Sequence, residues 1–175
     1  MNMRQASLRL YKFFKKFNLR RNSEKGRVLP IYRNAPNSLF FYGTLKAAEV
    51  REAVLGYQVP ENRLAAAELS GFEVRRVAGT FYPMIVAGPP EAMIEGILLR
   101  GIDRRELDRL DRLEGEDYQR VDIAVECDGK MHATQIYKPI NRLPAAELWD
   151  FASWYKKDLD NFLSQDFDPD GVRRP

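Results

Sequence analysis

Two short stretches of the chain carry residue types that could perform acid–base chemistry on a small substrate. In residues 39–45, an apolar run typical of a strand stops at Gly43 and passes directly into a helical pattern. Such a junction directs several main-chain N–H groups to one place, which suits an anion such as a carboxylate. In residues 110–120, Glu114 stands where a helical pattern gives way to a strand pattern. An anion site and one placed carboxylate are the minimum for acid–base chemistry on a substrate with a carboxylate of its own.

Both stretches also have a plain structural interpretation. Glu114 could be a helix-end carboxylate bonded to nearby amides, and residues 39–45 could be an ordinary strand–turn–helix connection. The sole histidine, His132, has no Cys or Asp partner at metal-ligand spacing, so we expect a surface or hydrogen-bonded role for it rather than metal binding or catalysis. The sole cysteine, Cys127, is in phase with Val125 and other apolar strand positions, so we expect it to pack in the core rather than act as a nucleophile.

The charge of the chain is unevenly distributed. Residues 1–37 hold ten of the 28 Lys and Arg but one of the 25 Asp and Glu, a balance of +9, which leaves −6 on the rest. The first 21 residues form an amphipathic basic helix pattern that could pack on the domain or on a neighbouring subunit, lie on an anionic membrane surface or act as a targeting presequence. The acidic balance after residue 37 argues against nucleic acid on the domain itself. A single cysteine and the lack of a long apolar run or signal-like segment favour a cytoplasmic protein.

The elements that must position these residues follow from the periodicity of the apolar residues. Helical patterns begin after Thr44, a potential cap, and after Asp103, and they end at Gly56 and Gly115; a third stripe runs over residues 148–162. A tight hairpin is predicted at residues 128–129, which are Asp-Gly. Short strands are predicted at residues 39–42, 63–69, 72–77, 82–87, 93–100, 121–127 and 131–137.

These strands mostly follow one another without a repeating strand–helix–strand alternation. We therefore expect an α+β fold, in which a compact barrel-like sheet is flanked by a few helices, rather than a doubly wound sheet. The predicted domain covers residues 38–165. A basic helix and linker (1–37) precede it and a short tail (166–175) follows it.

Three motifs resemble those of a known family. Phe41–Lys46 (FYGTLK), Leu113–Gly115 (LEG) and Tyr118–Arg120 (YQR) are similar to motifs of the gamma-glutamylcyclotransferase-like superfamily, in particular its avirulence-induced-gene-two-like branch. The resemblance extends from about residue 39 to about residue 162 and leaves the basic segment unexplained. Further matching pieces are Phe81–Ile85, Glu95–Leu99, Tyr137 and Trp149–Phe151.

The resemblance implies a five- or six-stranded mixed barrel and a reaction that releases 5-oxoproline and an amine or amino acid from a γ-glutamyl substrate, without a metal or organic cofactor. It implies that the amides of Gly43, Thr44 and Leu45 bind the substrate's α-carboxylate and that Glu114 is the general acid/base. A carboxylate in water is a weak base at neutral pH. We therefore expect Glu114 to be largely buried, and Glu116 and Asp117 to face solvent. The candidate cavity tyrosines are Tyr42, Tyr82, Tyr118 and Tyr137, with Tyr118 and Tyr137 favoured over Tyr82.

Three functions remain open from the sequence. The first is a gamma-glutamylcyclotransferase-like enzyme acting on a small γ-glutamyl substrate, as a monomer or homodimer. The second is a non-catalytic module on the same barrel that binds a small carboxylate or a protein partner, since a catalytic and a binding glutamate look alike. The third is a nucleic-acid or membrane adaptor that acts through residues 1–21.

Overall fold

Short strands and short helices make up the described part of the chain. The structure, a computed structural model, describes residues 37–141 and 143–166. The predicted basic segment and C-terminal tail lie outside the described residues, apart from their boundary positions. The elements are β1 Ser38–Phe41, α1 Ala48–Leu55, β2 Leu64–Ser70, β3 Phe72–Val77, β4 Pro83–Ala87, β5 Met93–Arg100, α2 Arg104–Glu114, β6 Tyr118–Cys127, β7 Lys130–Pro139, β8 Ala145–Leu148, α3 Phe151–Lys157 and α4 Leu159–Asp166.

Five strands close into a barrel in the order β1-β5-β2-β6-β7. Neighbouring strands are antiparallel except β1 and β7, which pair in parallel where Leu39 meets Gln135. The β6–β7 hairpin turns at Asp128 and Gly129, whose φ angles of 53° and 69° match the turn predicted for this dipeptide. The expected small mixed barrel is thus confirmed, with five strands. Cys127 is buried in the core, as its strand phase indicated.

A second sheet of three antiparallel strands, in the order β4-β3-β8, was not predicted. Ala145–Leu148 lacks the β-branched and aromatic residues that mark strands, so its conformation depends on pairing with β3. Arg75 and Val77 pair with Leu148 and Ala145 in that ladder. The expectation that Leu148 starts a helical stripe was therefore wrong: it ends a strand and is 61% exposed.

The first two helices pack together on the barrel. Apolar side chains of α1, such as Val54, and of α2, such as Leu110, belong to one core cluster. Asp103 begins α2 with a capping box that it forms with Glu106, and Gly56 ends α1, as expected. The prediction that Thr44 caps a helix was wrong. It lies in a 3₁₀ turn, Thr44–Lys46, and α1 begins after Ala47 without a side-chain cap.

The C-terminal stripe forms two helices rather than one. Asp158, with φ −119° and ψ −13°, separates α3 from α4. Trp154, Leu159 and Phe162 join the same buried cluster, while Tyr155, which the stripe over residues 148–162 placed on the buried face, is exposed. Trp149 and Trp154 pack in an aromatic group with Phe151. None of the described helices has the length and apolar content needed to cross a membrane.

Candidate active site

The turn after β1 presents main-chain amides at the end of a buried strand. Lys46 donates the first hydrogen bond inside this turn, from its amide to the carbonyl oxygen of Gly43 at 3.0 Å. The amides of Thr44 and Leu45 precede that bond and therefore have no acceptor within the turn. No side chain caps the turn either. The turn thus offers N–H groups of the kind that bind anions.

Arg51 holds this turn from inside the protein, a role that the sequence interpretation missed. It lies on α1 and is only 6% exposed, and its Nη1 donates to the carbonyls of Leu45 and Lys46 at 2.8 Å each. Burial lowers the pKa of this guanidinium, although not enough to discharge an arginine. A signal was present in the sequence, because Arg51 shares a helix face with the apolar residues Val54 and Leu55.

Gly43 is required by close packing. Its φ of −114° is open to any residue, but a Cβ built on it would lie 2.6 Å from Cγ of Pro83, the buried first residue of β4. Glycine therefore lets the second sheet approach the turn after β1.

Glu114 is the last residue of α2, and Gly115 follows it with a φ of 68°. Glu114 is partly buried, between the core residues and the exposed ones, and it lines a cavity. Glu116 and Asp117 are exposed, as expected, and Asp117 also lines the rim of that cavity.

One cavity of about 280 Å³ brings the candidate residues together. It is lined by every residue named as a site candidate from the sequence, namely Tyr42, Gly43, Thr44, Leu45, Glu114, Tyr118 and Tyr137. Tyr82, which was given lower priority, lines it as well. The structure therefore places all four candidate tyrosines at the cavity, while the roles of these residues remain predictions.

The hydroxyl groups of three cavity tyrosines, Tyr42, Tyr118 and Tyr137, donate hydrogen bonds to the protein. Tyr42 donates to the carbonyl of Tyr137 at 3.0 Å, and Tyr118 donates to the carbonyl of Pro83 at 3.3 Å. Tyr137 donates to Oδ1 of Asp111 at 2.7 Å. Tyr42 and Tyr137 are buried and Tyr118 is half-buried, so these bonds give the phenols fixed orientations.

Burial and nearby negative charge keep two of these phenols protonated. Burial raises the pKa of Tyr42 well above its usual value, and the charge of Glu114 raises it further. The pKa of Tyr137 is also raised, first by burial, then by the hydrogen bond to Asp111 and the charges of Asp111 and Glu114. Neither phenol can serve as a base at neutral pH. Among the described residues that line the cavity, Glu114 and the exposed Asp117 carry carboxylates.

The side of the cavity formed by the second sheet and the C-terminal helices is mostly apolar. Val77, Tyr82, Leu143 and Phe162 line it, and the rings of Tyr82 and Phe162 meet edge to face with their centroids 6.1 Å apart. These residues come from β3, the loop before β4, the segment before β8, and α4. The unpredicted sheet thus contributes this part of the site. Within the described ranges, no cluster of His, Cys, Asp or Glu is arranged to hold a metal ion.

Comparison with known proteins matches this architecture to one family. Residues 39–156 match the family model described as gamma-glutamyl cyclotransferase, AIG2-like. AIG2-like protein A of Arabidopsis thaliana is 29% identical over 131 residues, which cover 73% of this chain and 77% of that protein. AIG2-like protein C of the same organism is 31% identical over 134 residues, with 74% and 76% coverage.

Solved structures agree. A solution structure from Arabidopsis thaliana superposes with a TM-score of 0.55 at 28% identity and covers 73% of this chain and 86% of that one. A structure described as gamma-glutamyl cyclotransferase, at 17% identity and a TM-score of 0.50 over 63% of this chain and 70% of its own, shares the fold. With the family model spanning well over half of its length, the chain belongs to the gamma-glutamyl cyclotransferase, AIG2-like family.

Proposed function

We propose that this protein is a γ-glutamyl cyclotransferase-type enzyme that releases 5-oxoproline and an amine from a γ-glutamyl substrate. The observation that supports this most is the shared cavity, in which the amide-bearing turn at Thr44 and Leu45 and the carboxylate of Glu114 line the same 280 Å³ space. That volume suits a small, folded substrate.

The reaction is an intramolecular cyclisation. The substrate's α-amine forms a bond to its own γ-carbonyl carbon, and the bond from that carbon to the departing nitrogen breaks. Because the nucleophile is tethered, holding the chain folded back supplies much of the rate, on the order of several kcal/mol. In this proposal the amides of Gly43, Thr44 and Leu45 hold the α-carboxylate. Glu114 takes a proton from the α-ammonium group and delivers a proton to the departing nitrogen.

The charges around the cavity favour an amine over an amino acid as the leaving group. Among the described residues that line it, Glu114 and Asp117 are the charged ones, and both are acidic. Two nearby cations are engaged elsewhere, since Arg51 bonds the turn carbonyls and Nζ of Lys46 donates to the carbonyl of Glu95 at 3.1 Å. Among the described residues that line the cavity, no cation is placed to bind a carboxylate on the leaving group, which would meet like charge there. The apolar side of the cavity suits an alkyl or aromatic amine.

An assay of 5-oxoproline release tests the proposal. The panel contains γ-glutamyl amines, γ-glutamyl dipeptides and glutathione. We expect turnover of the amines above the others, and loss of at least about 100-fold in the Glu114→Gln variant, the usual lower range for a general acid/base. Glu116→Gln is the matched control, because it removes the same charge from an exposed residue two positions away.

The alternative, a non-catalytic module that binds a small carboxylate or a protein partner, predicts a different result. Wild-type protein would then show no turnover across the panel. Equal turnover by the wild type and the folded Glu114→Gln variant would also contradict the proposed role of the carboxylate.

A further inference from the structure

Tyr137 forms a wall between the cavity and an adjoining open, polar cleft. It lines both spaces, and Asp111, Arg120 and Gln135 line the cleft only. The phenol carries one proton, which it donates to Asp111 across 2.7 Å. Because that proton is used in the hydrogen bond to Asp111, the phenol oxygen of Tyr137 can only accept hydrogen bonds from other groups.

Asp111 is itself fixed by a chain of polar contacts. Nε of Arg120 donates to Oδ1 of Asp111 at 2.9 Å, and Nη1 of Arg120 donates to Oε1 of Gln135 at 2.8 Å. Nε2 of Gln135 donates in turn to Asp122 at 2.9 Å. Arg120 also lies directly opposite Tyr137 in the β6–β7 ladder, so the guanidinium and the phenol share one face of the sheet.

Two neighbouring phenols also use their hydroxyl protons in hydrogen bonds to the protein. The hydroxyl groups of Tyr42 and Tyr118 both donate to main-chain carbonyls, so their protons are also directed to the protein. Oxygens that can only accept hydrogen bonds suit a group that can only donate them, and an ammonium group has three donors and no acceptor. The phenol oxygen of Tyr137 therefore fits the α-ammonium group of a γ-glutamyl ligand better than its carboxylate.

On the basis of the γ-glutamyl site proposed above, we propose that Asp111, held by Arg120, is a positioning residue that commits the Tyr137 hydroxyl proton and so makes this phenol an acceptor for the substrate's α-ammonium group. Asp111 lies three residues before Glu114 on α2, which places both carboxylates on one side of the helix. One carboxylate would then orient the acceptor of the ammonium group while the other removes its proton.

Ligand binding without turnover tests this role. L-glutamate and glutarate differ only by the α-ammonium group, and neither carries a leaving amine. We expect wild-type protein to bind L-glutamate at least about tenfold more tightly than glutarate, the effect of one charge-assisted hydrogen bond. The affinity ratio below is the affinity for L-glutamate divided by that for glutarate. In Asp111→Leu the released Tyr137 proton turns toward the cavity, so this ratio falls by about tenfold. Asp108→Leu, on the same helix and paired with Arg104 at the surface, should keep the wild-type ratio.

A double-mutant comparison separates positioning from a general structural effect. If Asp111 acts through the phenol, Asp111→Leu lowers the ratio in the wild-type background and leaves it unchanged in a Tyr137→Phe background. A similar fall in both backgrounds, or an unchanged ratio in Asp111→Leu alone, overturns the proposal. So does equal wild-type affinity for the two ligands. If the leucine variant does not fold, Asp111→Asn replaces it. A neutral acceptor bonds about half as strongly, so about a threefold fall is expected, and an unchanged ratio overturns the proposal.

The outcome is distinct from that of the proposed function. Absence of 5-oxoproline release together with an Asp111-dependent affinity ratio would contradict the enzyme and support the ammonium site. Normal 5-oxoproline release together with an affinity ratio that ignores Asp111 would contradict the positioning role alone.

Discussion

Replacing Gly43 by alanine places a methyl group against the ring of Pro83. The added Cβ would lie 2.6 Å from Cγ of Pro83 and 3.5 Å from its Cβ, and the first distance is far inside van der Waals contact. The φ of −114° at residue 43 is negative, so the conflict expected for alanine is the steric one with Pro83. Because Pro83 is buried at the start of β4, relief requires the turn and the second sheet to move apart.

Overpacking of this kind costs about 1–3 kcal/mol of unfolding free energy. Chemical denaturation followed by the fluorescence of Trp149 and Trp154 would measure it. The same substitution in a Pro83→Ala background should cost less than about 0.5 kcal/mol, because the ring atom in conflict is gone and the Cβ contact at 3.5 Å is ordinary. An equal cost for Gly43→Ala in both backgrounds would refute the packing explanation.

Three other predictions concern the support and the specificity of the site. Arg51→Met should lower the free energy of unfolding by about 2–4 kcal/mol, because the buried carbonyl of Leu45 and the partly buried carbonyl of Lys46 lose their donor; a change within error in denaturant titrations would contradict this. Glu106 accepts from Arg63 at 2.9 and 3.0 Å, and although burial raises its pKa, these bonds lower it overall. The ionised Glu106 contributes about 2 kcal/mol to the free energy of unfolding above about pH 4.5, and this contribution is lost as the pH falls through the depressed pKa. The difference in unfolding free energy between wild type and Glu106→Gln should therefore be constant at neutral pH and should shrink in acid. A gap that widens in acid would be the wrong sign. Leu143→Ala should raise KM by about three- to tenfold for γ-glutamyl substrates with bulky apolar amines and leave KM for the methylamide nearly unchanged; steady-state kinetics on both would detect a uniform change, which would contradict the apolar subsite.

Local signals in the sequence predicted most of the elements. The capping box at Asp103, the hairpin at residues 128–129 and the strand over residues 93–100 depend on neighbouring residues, and each is present in the structure. The barrel could be inferred because its strands mostly follow one another. The gathering of the site residues was implied by the family motifs, since periodicity does not bring Gly43 and Glu114 together.

The features that were missed depend on contacts between distant segments. Strand β8 exists because residues 145–148 pair with β3, and the apolar side of the cavity follows from that sheet. The interruption at Asp158 lies between Trp154 and Phe162, which belong to one buried cluster, and the apolar periodicity of the sequence did not indicate it. In the sequence, Asp111 is one of several charged residues on a helix expected to face solvent, so nothing distinguishes it from its neighbours. Its bond to Tyr137 becomes visible only when α2 and β7 are seen side by side.

The central claim is that a γ-glutamyl ligand lies folded between the turn amides and Glu114. A crystal structure of the Glu114→Gln variant with L-γ-glutamyl methylamide bound tests it most directly. We expect the α-carboxylate within about 2.7–3.2 Å of the amide nitrogens of Thr44 and Leu45, and the α-nitrogen within the same reach of the side chain at position 114. A ligand whose carboxylate lies away from that turn, or whose α-nitrogen does not approach residue 114, would contradict the account.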